Sequence, residues 1–211
     1  DELAIYRLRS RTERGLILID PYVPSRRVSS AFGRMHFANR FSKFTGRQDE
    51  RKRLDRFLHS NNHILWWGIL GEGGIGKSRL LLEWMRDLPP HWYGFFARKS
   101  PMQFASFVPF TDTVIVLDYI LGEEEQTART VEALLAQFDA SPYQLRLLFV
   151  ERRQSNDAED WLSKLYKQFS PTDRIQFEAY RYLDDASSAD TAELMRINAL
   201  TESEEVSYIQ E

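Results

Sequence analysis

The 211-residue sequence contains no cysteine and no long run of apolar residues. The absence of cysteine excludes a disulfide framework and is consistent with a reducing compartment, so we expect a cytoplasmic location. The longest apolar stretches, such as HILWWGIL at 63–70, fall far short of the roughly 20 residues that a transmembrane helix needs. The opening residues, DELAIYRLRSRTERG, are charged throughout, unlike a secretory signal. We therefore expect no membrane partner.

Charge is unevenly distributed along the chain. Up to Phe57 there are 14 Lys and Arg against 7 Asp and Glu, a balance of +7, whereas the remainder has 14 against 24, a balance of −10. Two interpretations of the basic segment stay open. It is either an arm that binds nucleic acid or an arginine-rich linker that lies on the acidic domain behind it. We favour the linker, which leaves nucleic acid as the less favoured partner.

Two kinds of apolar segment alternate from residue 63 onward. Runs rich in Val, Ile, Phe and Tyr, typical of strands, lie at 63–70, 92–98, 113–120, 145–152 and 174–183. Apolar residues at helical spacing lie between most of them, at 77–88, 128–138 and 157–169. The alternation predicts a three-layer α/β fold in which helices cover both faces of a parallel five-stranded sheet.

We expect three segments in the chain. Residues 1–43 contain one strand candidate, GLILID at 15–20, and are predicted to be a basic connector or the tail of an upstream domain. Because the sequence starts with Asp1 rather than methionine, we expect it to be a piece of a longer protein. Residues 44–183 form the predicted core, and 184–211 the predicted start of a short helical lid or linker. In that last segment Leu194, Ile197 and Leu200 would share one helical face.

Five of the ten glycines fall between Gly68 and Gly76. The run GEGGIGKS fills every defined position of the phosphate-binding loop pattern, between a predicted strand and a predicted helix. Glycines let successive backbone N–H groups turn around an anion, and the positive end of the following helix points at the same place. We expect the Lys77 ammonium on the β and γ phosphates of ATP or ADP and the Ser78 hydroxyl on Mg²⁺. The predicted nucleotide contacts in this run are Gly71, Gly73, Gly74, Ile75, Gly76, Lys77, Ser78 and Arg79.

Asp118 follows the apolar run TVIVL, at the carboxyl end of a predicted strand. Ligands collect at this end of the strands in open α/β sheets. Taken alone, an aspartate after a strand is often a turn or helix cap. Combined with the upstream loop, the position favours a metal-binding role for Asp118 together with Ser78.

Arg152 ends the predicted strand LRLLFVER. From there its guanidinium could reach the γ phosphate and stabilise its charge. The alternative is a surface arginine paired with Glu151 or Asp157, and Arg153 is a competing candidate. The predicted catalytic residues are therefore Lys77, Asp118 and Arg152.

Four segments follow one another along the chain: FTGRQDERKRLDRFL, GEGGIGKS, VIVLD and LLFVER. In this order they resemble the NTPase core of the STAND class, which includes NACHT and NB-ARC proteins. WYGFFAR, IVLDY and LRLLFVER are similar to strands of a bacterial subgroup of that class. The resemblance covers residues 44–183. It implies that Phe44, Gly46 and Arg47 lie near the adenine or ribose and that Arg152 is the sensor residue. It also implies an extra strand between the lysine strand and the acidic strand.

The resemblance further implies a nucleotide-dependent switch. Exchange of ADP for ATP drives self-association in the class, effector and sensor domains flank the core, and many bacterial members act against phage. Tyr119 stands where rapid ATPases carry a glutamate. Glu123, Glu124 or Glu125 could take the place of that glutamate, but we favour the interpretation that they form a solvated acidic run. We therefore expect slow attack of water on the γ phosphate.

Two other functions stay open. An AAA+-type ATPase acting on DNA would share the phosphate loop, although it would be expected to carry an acidic pair where Asp118 and Tyr119 stand. A non-catalytic interaction module stabilised by bound nucleotide would look nearly the same in sequence. A substrate kinase is a weaker alternative, because no acceptor-binding feature is visible.

Overall fold

The computed structural model describes residues 17–22, 44–152, 160–184 and 194–199. The strands within these ranges are β1 (Ile17–Ile19), β2 (Ile64–Gly71), β3 (Trp92–Ala97), β4 (Asp112–Asp118), β5 (Leu145–Arg152) and β6 (Leu194–Ile197). The helices are α1 (Gln48–Leu58), α2 (Lys77–Arg86), α3 (Pro101–Ala105), α4 (Glu124–Asp139), α5 (Asp160–Tyr166) and α6 (Pro171–Ala179). None of these helices is long and apolar enough to cross a bilayer.

The strands form one sheet in the order β1-β3-β4-β5-β2-β6. β3, β4, β5, β2 and β6 run parallel, whereas β1 joins the edge strand β3 antiparallel. The predicted fold class is therefore confirmed, with a short antiparallel strand added where GLILID was a strand candidate. β5 lies between β2 and β4, as the resemblance implies.

Different helices cover the two faces of the sheet. α1 and α2 pack on one face, and α3 to α6 pack on the other, so two apolar clusters share the sheet between them. Every residue of β2 is buried. A strand with helices on both sides must be apolar throughout, which is why HILWWGIL shows no alternation of polar and apolar residues.

The fifth parallel strand differs from the one predicted. Residues 174–183, predicted as a strand, lie largely in helix α6, and only Arg181 reaches the sheet, in an isolated bridge to Trp66. α6 has strong start signals in its sequence. The Ser170 side chain accepts the backbone N–H of Asp173, and proline occupies the first turn.

The strand at this edge is β6, so the predicted helical C-terminal segment is wrong at Leu194 and Ile197; Leu200 lies outside the described residues. Two glycines of β2 allow β6 to approach. A Cβ atom at Gly68 would lie 2.4 Å from Cδ2 of Leu194, and one at Gly71 would lie 2.7 Å from the carbonyl oxygen of Ile197. The close approach of the β6 backbone therefore requires glycine at Gly71, whereas at Gly68 the Leu194 side chain occupies the space that a Cβ atom would take.

Part of the basic segment pairs with acidic residues of the core. Arg51 of α1 contacts Asp87 at 2.5 Å, and Arg53 and Arg56 contact the carboxylate of Asp184 at 2.6 and 3.1 Å. Asp184 is 1% exposed, and buried carboxylates of this kind are retained only when paired. These contacts concern α1 alone, and the linker interpretation of the basic segment stays a prediction.

A buried arginine joins β5 to the end of α1. Arg146 is fully buried, and its guanidinium donates to the carbonyl oxygens of Phe57 at 3.0 Å, Leu58 at 3.2 Å and Ser60 at 2.6 Å. The last carbonyls of a helix have no partner within the helix, and a cation there also interacts favourably with the helix dipole. Burial lowers the pKa of Arg146 to about 10, so the side chain stays charged at neutral pH.

We expect Arg146→Leu to lower the free energy of unfolding by about 3 kcal/mol, because several buried carbonyl oxygens lose their donor. Urea unfolding followed by tryptophan fluorescence measures the change. Arg129→Leu is the matched control: Arg129 forms an exposed pair with Glu125, and its loss is expected to change stability by less than about 0.5 kcal/mol. Equal effects of the two substitutions would contradict the structural role of Arg146.

Candidate functional site

The loop between β2 and α2 has the backbone of an anion cradle. Gly74 and Gly76 have φ angles of 81° and 96°, in the left-handed region that favours glycine. α2 starts at Lys77, and its N-cap residue, Gly76, has no side chain to accept the free N–H groups of the first turn. These N–H groups and the positive end of the helix dipole are therefore directed at the loop.

Lys77 is held inside this loop. Its Nζ donates to the carbonyl oxygens of Gly71 at 2.7 Å and Glu72 at 2.8 Å, and the residue is only 7% exposed. Burial is the main cause that lowers the pKa of the Lys77 ammonium; the charge of Asp118 opposes this shift, and that of Arg152 adds to it. An anion in the loop would supply the negative charge that two carbonyl groups cannot.

Ser78 and Asp118 meet across the sheet edge. The Ser78 hydroxyl donates to Oδ2 of Asp118 at 2.9 Å, while Oδ1 accepts the backbone N–H of Tyr119 at 2.9 Å. Burial raises the pKa of the Asp118 carboxyl above its ordinary value, although these hydrogen bonds and the charge of Lys77 oppose the shift. A poorly solvated carboxylate beside a hydroxyl is a suitable start for a site that takes a hard cation.

These two oxygen donors fit Mg²⁺ when a nucleotide is present. The described residues contain no group of three or more His, Cys, Asp or Glu that could hold a metal ion. Mg²⁺ is commonly bound by one or two protein oxygens together with substrate phosphates and water, so a larger group is not required. Ser78 and Asp118 are the residues that would hold it.

Arg152 reaches from the tip of β5 to the phosphate loop. Its Cζ and Nε atoms lie 3.6 Å from the position that a Cβ atom at Gly73 would occupy, and its guanidinium lies 5.4 Å from the ring centroid of Tyr119. Glu151 accepts the backbone N–H of Arg152 rather than its side chain. The structure thus brings Arg152 to the same place as Lys77 and Asp118. Asp157 and the competing Arg153 lie outside the described residues.

Arg47 anchors the segment ahead of α1 to the phosphate loop. Its Nη2 donates to the carbonyl oxygen of Ile75 at 3.1 Å, and its Nη1 contacts Glu50 at 2.9 Å. Gly46 and Arg47 both have left-handed φ angles, 72° and 65°, which direct the chain onto the loop. Phe44 packs against the apolar cluster beneath α1 and α2. Contacts of these residues with adenine or ribose stay a prediction.

A cavity adjoins the phosphate loop on the side of β6. Its volume is about 110 Å³, and it lies between the start of the loop and the end of β6. The lining residues are Leu70, Gly71, Glu72, Ile75, Arg196, Ile197, Asn198 and Ala199. The sequence predicts a helical lid here, with Ile197 on its inner face, and no local signal in RINA marks a site residue.

Arg79 and the acidic run after Asp118 have partners of their own. Arg79 pairs with Glu83 at 2.9 Å along α2, and its predicted contact with nucleotide stays a prediction. Glu123 pairs with Lys99 at 2.6 Å and Glu125 with Arg129 at 2.6 Å; the neighbouring Glu124 accepts a backbone N–H at 3.0 Å. All three glutamates therefore have contacts in the described residues, and the side chains of Glu123 and Glu125 remain largely exposed.

Residues 43–209 match the family model described as the AAA ATPase domain. The matched range contains every residue predicted to bind nucleotide or metal. A search of curated proteins found no matching sequence.

We expect Asp118→Asn to stabilise the metal-free, nucleotide-free chain at neutral pH, because it removes a charge that is poorly solvated in the folded state. The pKa of Asp118 is raised by folding, so its protonated form contributes stability below the ordinary value of 3.8, and this contribution is lost as pH rises through the folded-state pKa. The advantage of the variant should therefore shrink as pH falls toward 3.8.

Urea unfolding in a chelating buffer across this pH range measures the difference. Asp49→Asn is the matched control, since Asp49 is an exposed carboxylate at the start of α1. An Asp118→Asn variant that is less stable than the parent at neutral pH would show that hydrogen bonds outweigh burial at this carboxylate.

Proposed function

The chain belongs to the AAA ATPase domain family and is a nucleotide-binding P-loop ATPase; from this premise we propose that it is a slow nucleotide-dependent switch. It binds ATP or ADP with Mg²⁺ and uses the bound nucleotide to regulate self-association. The observation that supports slow hydrolysis is the contact pattern next to Asp118. Tyr119 occupies the adjacent position, and the nearby glutamates of the acidic run are held by other partners.

The proposed chemistry assigns each side chain a task. The loop N–H groups and Lys77 neutralise the β and γ phosphates, and Arg152 contacts the γ phosphate from the end of β5. Ser78 and Asp118 hold Mg²⁺, which when bound neutralises charge on the phosphate oxygens and aligns them for attack by water. No carboxylate in this arrangement is given the task of orienting water, so turnover is slow and the bound nucleotide persists.

The biological setting follows from the resemblance to the STAND class and is proposed with it. The core of residues 44–183 would act between an effector and a sensor outside this chain, with 1–43 as connector and 184–211 as the start of a lid or linker. ADP would hold the resting state, and exchange for ATP would permit assembly through the core. Signalling or defence against phage in the cytoplasm is the role that fits this cycle.

An AAA+-type ATPase acting on DNA is the second candidate, because the family match is equally consistent with it. Fast turnover and a DNA complex whose affinity falls steeply with salt would support it. The ion pairs of Arg51, Arg53 and Arg56 with Asp87 and Asp184 favour the first candidate, since those guanidinium groups are engaged within the chain. A non-catalytic module with structural ADP is the third.

We expect the purified protein to release stoichiometric ADP when it is denatured, as measured by ion-exchange chromatography and mass spectrometry. Lys77→Ala should release none, because the phosphates lose their principal cation. Lys52→Ala is the matched control: Lys52 is an exposed lysine paired with Asp49, so the variant should retain its ADP. Added ATP should be hydrolysed at least about 100-fold more slowly than the enzyme median of roughly 10 s⁻¹.

The other outcomes separate the candidates. An empty parent that hydrolyses ATP rapidly supports the AAA+ motor. Retained ADP without measurable hydrolysis or exchange supports the structural module. An empty parent without affinity for any nucleotide contradicts all three.

We also expect nucleotide exchange to change the assembly state of the full-length protein. Replacing ADP with a non-hydrolysable ATP analogue should increase the mass measured by light scattering, because the γ phosphate stabilises the assembling state. Lys77→Ala should remain at its starting mass with either nucleotide. An unchanged mass of the parent with the analogue bound would contradict the switch.

A further inference from the structure

Glu151 is a buried carboxylate that the proposed chemistry does not use. It is the next-to-last residue of β5 and is 4% exposed. Its Oε2 accepts the backbone N–H groups of Ile120 at 2.7 Å and Leu121 at 2.9 Å, and its Oε1 accepts the N–H of Arg152 at 2.7 Å. Sequence reasoning treated Glu151 only as a partner for the Arg152 side chain, which it is not.

The segment that Glu151 holds is the turn directly after Asp118. Tyr119 has a φ angle of 57°, which is uncommon for a bulky residue and persists only where the surrounding structure fixes it. The two N–H groups bound by Glu151 belong to the residues directly after Tyr119. Lys99, just after the end of β3, donates to the Tyr119 carbonyl oxygen. The turn is therefore fixed from strands on both sides of β4.

This turn sets the orientation of the Asp118 carboxylate. The Tyr119 N–H donates to Oδ1 of Asp118 at 2.9 Å, and the other oxygen, Oδ2, accepts the Ser78 hydroxyl at 2.9 Å. A change in the Tyr119 backbone would turn the N–H that holds Oδ1. Glu151 is therefore linked to the Asp118 carboxylate through the backbone of the turn, whose Tyr119 N–H donates both to Oδ1 of Asp118 and to the carbonyl oxygen of Val150 at 3.1 Å.

We propose that Glu151 is a positioning residue for Mg²⁺ binding: by holding the turn at Ile120 and Leu121, it keeps Asp118 oriented toward the metal that accompanies the nucleotide. This inference rests on the proposed function, in which Ser78 and Asp118 hold that metal. Residues that orient metal ligands commonly contribute about 10- to 100-fold to metal affinity, and we expect an effect of this size from Glu151.

The test compares the affinity for a fluorescent ATP analogue in Mg²⁺ with that in a chelating buffer. In the parent we expect Mg²⁺ to tighten binding. Glu151→Ala should lose about 10-fold or more of this tightening, while its affinity in the chelating buffer stays within about 2-fold of the parent. Asp118→Asn serves as the reference for complete loss of the Mg²⁺-dependent tightening. Glu125→Ala removes a carboxylate from an exposed ion pair and should bind the analogue as the parent does.

Glu151→Gln provides the conservative variant, and it carries the test if Glu151→Ala does not fold. Its amide oxygen can still accept the N–H groups of Ile120 and Leu121, but its NH₂ group would face the N–H of Arg152. We expect a loss of Mg²⁺-dependent tightening between those of the parent and Glu151→Ala. A Gln variant that loses as much as Asp118→Asn would contradict the proposal, since the bonds to Ile120 and Leu121 would then not be what holds Asp118.

Three further results would overturn the inference and leave the proposed function standing: tightening equal to that of the parent in both Glu151 variants, equal losses with and without Mg²⁺, or a lower melting temperature as the only change. These results would describe a residue that merely stabilises the fold. A parent that binds no nucleotide, or binds it without any effect of Mg²⁺, instead contradicts the proposed function itself. The parent measurement therefore separates the two failures.

Discussion

Parallel alignment of β2, β5 and β4 places the carboxyl ends of three strands at one edge of the sheet, and the phosphate loop, Asp118 and Arg152 depend on this constraint. β2 leads into the phosphate loop, β4 ends at Asp118, and β5, between them, ends at Arg152. The Ser78–Asp118 hydrogen bond therefore spans the tip of β5. The two apolar clusters on either face fix the strands, so the site is held by a rigid scaffold rather than by its own contacts.

Two sets of poorly solvated charges stand out among the described residues. Carbonyl groups satisfy Arg146 and arginines satisfy Asp184, and both join separate elements of the fold. Lys77 and Asp118 instead lie at the phosphate loop, where burial shifts the pKa of each toward its neutral form, as it also does for Arg146. Poorly solvated charges at such a loop are typical of functional sites, where a ligand supplies a further partner. Mg²⁺ and phosphate would do so here, and binding would then stabilise the fold as well.

Much of the site was predictable because its pattern is local. The phosphate loop requires glycines, a lysine and a hydroxyl at fixed spacing, so Gly71 to Ser78 are recognisable in the sequence, and Asp118 and Arg152 follow from the ends of apolar strands. Glu151 and Arg146 were not predictable in this way. Their partners are backbone groups 31 and 89 residues away, and no residue type at those positions marks a carbonyl or N–H group as the one that will need a partner.

The sequence by itself determined the alternation of strands and helices, the fold class and the loop, because periodicity and glycine spacing act within a few residues. Only the tertiary structure decided which segment completes the sheet. Residues 174–183 alternate apolar and polar side chains, residues 194–197 are short and mostly apolar, and either would satisfy a strand pattern. Capping at Ser170 favours a helix in the first, while Gly68 and Gly71 leave room for the second against β2. The available space beside a strand depends on side chains distant in sequence, so local propensity could not choose between them.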